Sequence, residues 1–211
     1  MTKAKAAALI AVAIMAAYCG ILRAPFIFDD RGSILENPSI RHLASAFEPP
    51  FSEGQTVGGR PVVNLSLAVN YALSGYGVLS YHLFNLGVHF AAALVLFGLV
   101  RRTLVRLRWS AADSLWTGFA AALIWAVHPL QTEAVTYVVQ RAESLMGLFY
   151  LLTLYCFVRA TNPTGSMVCV AEASKAFVAS QRTGPETLGA FRYTSHSSRL
   201  DWIATPKIVL S

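Results

Sequence analysis

Apolar runs approaching the thickness of a bilayer recur through the first 160 residues, and they exclude most soluble folds. Residues 6–22 (AAALIAVAIMAAYCGIL) form the first run, after Lys3 and Lys5. It is short for a span, but Ala24 to Phe28 extend it to the ~20 residues a membrane helix needs. Residues 82–100 and 111–127 form the second and third runs, the latter stopped by His128-Pro129. A fourth runs from about Leu145 to Val158, with its helix expected to begin near Leu130. Composition points the same way. Charged residues make up 13% of the 211, where a soluble domain carries about 25%, and the mean hydropathy is +0.51. The expected fold is an all-α membrane protein of about four transmembrane helices, near 6–25, 82–100, 111–127 and 143–158.

Between the first two spans lies a long outer loop, 26–81, with turn signals at Asn37-Pro38, Pro49-Pro50 and Gly58-Gly59. Arg60-Pro61 opens VVNLSLAVNYAL, in which Val62, Leu65, Val69 and Leu73 recur near helical spacing while Asn64 and Asn70 interrupt. Too short and polar to cross, this segment reads as a helix lying along the membrane surface. A charged start and an apolar core also fit a cleaved signal peptide, but Tyr18-Cys19-Gly20 offers no clean cleavage site, which favours an uncleaved first helix. Residues 161–211 hold no span-length apolar run. Apart from a short helix expected over Val168 to Ser180, they read as a poorly ordered tail, and a frameshifted or truncated reading frame would account for the change of character.

The net charge of +6 orients the chain rather than binding nucleic acid. Lys3, Lys5, the four arginines 101, 102, 106 and 108, and Arg159 fall on one face if there are four spans. The positive-inside rule makes that face cytoplasmic. Asp29-Asp30 and the HPLQTE segment then share the outer face, in the inner membrane if the source is bacterial. Cys19, Cys156 and Cys169 form no disulfide framework and no zinc spacing is present.

Three polar groups on that outer face could carry chemistry. Asp29 and Asp30 sit where the first helix leaves the bilayer; a carboxylate there is costly to desolvate and its raised pKa suits a general base. The plainer reading is a solvated loop start or a helix cap. Two acids could also hold a divalent cation, although two ligands without a third are a weak metal signal. His82, Asn85 and His89 share one face of the second helix, where interhelical hydrogen bonding competes with a cavity-lining role. His128 and Glu133 precede Arg141, with Glu133, Thr136, Tyr137 and Gln140 on one helical face if the helix starts at Pro129. A guanidinium at the outer surface suits a phosphate, and an Arg141–Glu143 pair or lipid headgroups are the competing uses. No Gly-rich phosphate loop, G-x-S-x-G or H-E-x-x-H motif occurs, so chemistry on a soluble nucleotide donor is disfavoured.

Three blocks, FIFDDRGSILENPSIRHL, RPVVNLSLAVNYALSGYGVLSYHLFNLGVH and HPLQTEAVTYVVQRAESLMGLFYLLTLY, resemble in order the transmembrane and tetratricopeptide-repeat-containing O-mannosyltransferases and their bacterial relatives. These are multispanning glycosyltransferases of the GT-C type. The resemblance covers about residues 10–160, an N-terminal portion of such a transmembrane domain. It implies transfer of a sugar, mannose in the animal members, from a polyprenyl-phosphate carrier to a protein Ser/Thr hydroxyl outside the cytoplasm. It also implies that the acidic pair, Asp29 and Asp30, is catalytic. Arg141, with His128 and Glu133, is then the candidate for holding the donor phosphate, and His82, Asn85 and Gln140 are candidates to line the cavity. The family's further spans and its tetratricopeptide region have no counterpart in these 211 residues. A non-catalytic membrane module whose polar helix faces pack on partner subunits is the competing reading. A small transporter is a third, with no inverted repeat to support it.

Overall fold

The computed structural model describes residues 1–49 and 57–161. The residues expected to form a tail, including the short helix over 168–180, lie outside the described residues, as do Pro50 and Cys169. Among the described residues the chain is helical, without strands: α1 Lys3–Tyr18, α2 Pro61–Ser74, α3 Val78–Arg106, α4 Ala111–Ala126, α5 Thr132–Thr136 and α6 Arg141–Ala160. A 3-10 turn, Cys19–Arg23, continues α1 toward the loop, and a π-helical turn, Arg31–Leu35, follows the acidic pair.

Three of these helical segments are long and apolar enough to cross a membrane: Lys3–Arg23, Val78–Arg106 and Arg141–Ala160. The chain is a membrane protein. The third expected span, α4, has 16 residues and is roughly 24 Å long at 1.5 Å per residue, shorter than the ~30 Å hydrocarbon core.

The helices alternate in direction, as the pairing of like ends shows: α1 runs with α4, and α3 with α6. Tyr18, at the end of α1, donates its hydroxyl to the Ala126 carbonyl at the end of α4 (3.4 Å). At the opposite end, Arg102 donates to the Tyr155 hydroxyl (3.0 Å) and lies over its ring, while Arg106 reaches the Val158 carbonyl and the Thr161 hydroxyl of the α6 terminus. Lys3, Lys5 and Arg101–Arg108 therefore gather at one end of the bundle, and the acidic pair at the other.

Small residues set the α3–α4 seam. Ser114, Gly118, Ala122 and Ala126 recur every fourth residue and are buried, a spacing that aligns them along one stripe and lets two backbones approach. A Cβ added at Gly118 would meet the Phe97 carbonyl at 3.2 Å and the Arg101 Cβ at 3.2 Å. Ala6, Ile10, Ile14 and Tyr18 of α1 bury a matching stripe in a cluster that includes Leu86, Ala93 and Phe97 of α3 and Ala122 and Ala126 of α4.

Helix α2 has its sides the other way round from an ordinary amphipathic helix. Asn64, Ser66 and Asn70 are buried with Val63, Leu67 and Ala68, whereas Val62, Val69 and Leu73 are exposed. The two asparagines that interrupt the apolar pattern are the contact face. Asn64 accepts from Asn37 Nδ2 (2.9 Å) and donates to Ser39 Oγ (2.8 Å) and the Ala46 carbonyl (2.9 Å), which ties the outer loop to the helix.

The last helix departs from expectation. Instead of starting near Leu130 and running on, the chain makes a 3-10 turn at Pro129–Gln131, the short α5, and a break at 137–140 before α6. Glu133, Thr136, Tyr137 and Gln140 thus do not share a helical face. The β-branched pair Val138-Val139 is a poor helix former, and its peptide groups take long-range partners. We expect Gly118→Leu to force the α3–α4 seam apart at a cost of about 1–3 kcal/mol, read as a lowered thermal midpoint in nanodiscs.

Candidate functional site at the outer end of the bundle

The stretch Pro25 to Arg31 leaves the α1 end and turns sharply at Phe28, which is 82% exposed with φ 44°. A bulky residue with positive φ is sterically strained and persists only where its neighbours are pinned. The pins are the next two residues. The Asp29 backbone N–H donates to the Tyr137 hydroxyl (2.8 Å). Asp30 accepts two backbone N–H bonds, from Val139 to Oδ1 (2.8 Å) and from Ile27 to Oδ2 (3.3 Å).

The two acids therefore face opposite ways. Asp30 is 1% exposed, and Asp29 is exposed. Burial pushes the Asp30 carboxyl above the usual carboxylate range, against the opposing pull of the Val139 and Ile27 amides and of nearby His82. Burial also raises the Tyr137 hydroxyl, opposed by its bond to the Asp29 amide; Asp29, Asp30 and Glu133 add negative charge around it.

Behind the pair lies a polar layer made by α2, α3 and the start of α6. Asn85 Nδ2 lies within 3.3 Å of the Tyr137 and Val138 carbonyls, which also accept the Gln140 and Arg141 N–H, and 3.5 Å from the Val135 carbonyl. His82 donates from Nε2 to the Ala24 carbonyl (3.1 Å), and its buried Nδ1 has no hydrogen-bond partner among the described residues. His89, deeper in α3, bonds the Ala126 carbonyl (2.8 Å) and stacks on Trp125. The polar face of α3 is thus turned into this chain, not outward toward a partner subunit.

Arg141 does not sit at the surface, as a phosphate grip would require. It is 0% exposed. Its Nε donates to Asn85 Oδ1 (3.0 Å), Nη1 to Asn70 Oδ1 (2.7 Å) and Ser66 Oγ (3.2 Å), and Nη2 to the Tyr81 carbonyl (3.2 Å). Phe84 and Tyr81 present their rings to it at 4.6 and 5.7 Å. It is not bonded to Glu143, which is exposed. The physical reason is the helix break: it starts α6 at Arg141 and turns this first residue inward, where the acceptors of α2 and α3 are arranged to receive it.

His128 is exposed and caps the Pro129 turn, its Nδ1 accepting the Leu130 N–H (3.2 Å). Glu133 and Gln140 line an open cleft of about 280 Å³ with Leu130, Ala134 and Glu143. A smaller cleft of about 130 Å³ shares Ala134 and Glu143 and runs to Trp125, His89 and Leu148. The structure so brings Asp29, Asp30, His82 and Asn85 to one end together with Tyr137 and Val139, and separates Arg141 from the cleft. Ser66 was not singled out from the sequence, Asn70 only as a break in an apolar run, and Tyr137 only as one of four residues on an expected helical face. Among the described residues no group of three or more His, Cys, Asp or Glu side chains could hold a metal ion.

No family model matches the chain, and no solved structure does. Curated proteins do. The mouse protein O-mannosyl-transferase TMTC3 is 35% identical over 173 residues, which is 78% of this chain and 18% of that protein. Its human counterpart is 32% identical over 184 residues, 83% of this chain and 19% of the relative. The Drosophila melanogaster protein O-mannosyl-transferase Tmtc1 is 35% identical over 151 residues, 67% of this chain and 17% of its own length.

The raised Asp30 pKa has a sign that can be checked. A carboxyl whose folded pKa lies above its unfolded value adds stability that is fully present below the unfolded value and is lost as pH rises through the folded one. Thermal midpoints of the wild type should therefore fall relative to Asp30→Asn as pH is raised from about 4. Parallel profiles for the two proteins would contradict the assignment.

Proposed function

Because the chain belongs to the protein O-mannosyl-transferase family of these relatives, and spans about a fifth of their length, we propose that it forms the acceptor-activating part of a membrane glycosyltransferase. The donor is a sugar, mannose by family, on a polyprenyl phosphate, and the acceptor is a protein Ser or Thr hydroxyl. The observation that carries this reading is the opposed pair: an exposed carboxylate, Asp29, whose backbone is clamped by Tyr137 beside a buried carboxyl, Asp30, pinned at both oxygens.

That arrangement suits a single displacement. Asp29 takes the proton of the acceptor hydroxyl as its oxygen attacks the anomeric carbon. The bond from that carbon to the phosphate oxygen breaks, and polyprenyl phosphate leaves with its pair of electrons. Asp30 touches no substrate in this scheme; it holds the loop so that Asp29 meets the acceptor in one orientation. The Glu133, Gln140 and Glu143 cleft is lined by acceptors and an amide rather than cations, which favours sugar hydroxyls over the phosphate there.

Sidedness follows from charge. With α4 as a fourth crossing, Lys3, Lys5, Arg101, Arg102, Arg106, Arg108 and Arg159 collect at the end opposite Asp29, and by the positive-inside rule that end is the cytoplasmic one. The acidic pair then works on the non-cytoplasmic face.

In the full-length protein carrying this segment, Asp29→Asn should reduce mannosyl transfer to a peptide acceptor by about 100-fold or more while membrane insertion is unchanged. Transfer at the wild-type rate by Asp29→Asn would overturn the assignment of the base.

A further inference from the structure

We propose that Arg141 and Asn85 form a clasp that positions the acidic pair, with Arg141 acting through Asn85 on the turn at 137–140. This rests on the reading of Asp29 as the base, but its geometry stands by itself. The Arg141 Nε bond to Asn85 Oδ1 (3.0 Å) fixes which way the Asn85 amide faces. Its Nδ2 is thereby aimed at the Tyr137 and Val138 carbonyls, both at 3.3 Å, and toward that of Val135.

At Tyr137 and Val138 those bonds add to the turn bonds from the Gln140 and Arg141 N–H, and at Val135 the bond stands in for the one a continuous helix would supply. In an unbroken helix the Val139 N–H would donate to the Val135 carbonyl four residues back. Here it donates to Asp30 Oδ1 instead, and Tyr137 is placed so that its hydroxyl receives the Asp29 amide. The path from guanidinium to acidic pair is a short series of bonds: Arg141, Asn85, the carbonyls of the turn, then Val139 and Asp30.

The remaining donors of Arg141 are directed at Asn70, Ser66 and the Tyr81 carbonyl. The guanidinium fork thus joins α2, α3 and α6 at the height of the turn. A planar fork with fixed donor directions can hold such a set, and an ammonium cannot. Arg141 and Asn85 are positioning residues: neither needs to touch substrate.

Asn85→Asp separates the two halves of the clasp. It keeps an acceptor for Arg141 Nε but removes the donor to the carbonyls. Arg141→Lys keeps the charge and loses the fork. Two measurements apply. Hydrogen exchange at the Val139 amide, followed in this chain in lipid nanodiscs with helix content checked by circular dichroism, reads the clasp without any sugar transfer. Steady-state kinetics in the full-length protein with a polyprenyl-phosphate mannose donor read its effect on catalysis.

In both variants we expect Val139 exchange to accelerate with helix content retained. We expect kcat to fall by about tenfold or more, as misplacement of a reacting group does, and KM for the donor to stay within about twofold of wild type. A raised donor KM with unchanged kcat would show that Arg141 holds the phosphate and overturn the proposal. Unchanged Val139 exchange in Asn85→Asp would overturn it as well. Asp29→Asn, run alongside, should leave Val139 exchange at the wild-type rate, so failure of the base assignment and failure of the clasp are told apart.

Discussion

A single buried cation holds the outer end of this bundle together. Removing a guanidinium from water costs several kcal/mol even after relaxation, and Arg141 has no carboxylate among its hydrogen-bond partners to offset it. The compensation comes from dipoles and rings: two asparagine oxygens, a serine hydroxyl, a backbone carbonyl and the faces of Phe84 and Tyr81. Hydrogen bonds to a charged group contribute about 1.5–3 kcal/mol each, so a set of four can hold the charge where one or two could not. Such a set must be complete. That requirement explains why α2 carries Ser66 and Asn70 on the side that faces the protein.

Helix α3 is joined to its neighbours by two kinds of contact. Along α4 it meets a stripe of small residues, where shape decides the approach. Toward the acidic end, α2 and α6 are joined to it through directional bonds that specify register to within one residue. Dispersion contacts along a smooth seam tolerate small sliding. A hydrogen-bond set does not, and the acidic end, which needs atomic placement, has a buried one.

The helices could be read from the sequence because their signal is local: length and hydropathy in one window. Even the acidic pair announced itself by its place beside an apolar run. What could not be read was how the two acids divide. Asp29 and Asp30 are neighbours, and only the turn at Phe28, held from residues more than a hundred positions away, sends one outward and the other in. The same distance explains why the burial of Arg141 could not be read. Its partners Ser66 and Asn70 lie 75 and 71 residues earlier, and no window contains both. Asn64 and Asn70 read as defects in an amphipathic pattern because the pattern was judged against water, whereas this helix turns its polar side to protein and leaves Val62, Val69 and Leu73 exposed. The start of α6 was misplaced for a related reason: a local pattern suggests helix through Val138 and Val139, and Asp30 and Asn85 together outweigh it.

The bonds from Asp29 to Tyr137 and from Val139 to Asp30 bridge 108 and 109 residues. At synthesis rates of 5–20 residues per second the acidic loop leaves the ribosome on the order of ten seconds before its clamp does. Throughout that interval the strained turn at Phe28 has nothing to hold it, and the pair is two ordinary acids on a relaxed segment. The site is therefore written into the chain in two instalments. Its geometry comes into being only when α6 and the turn before it arrive, which makes insertion of α6 the step that assembles the chemistry as well as this part of the fold.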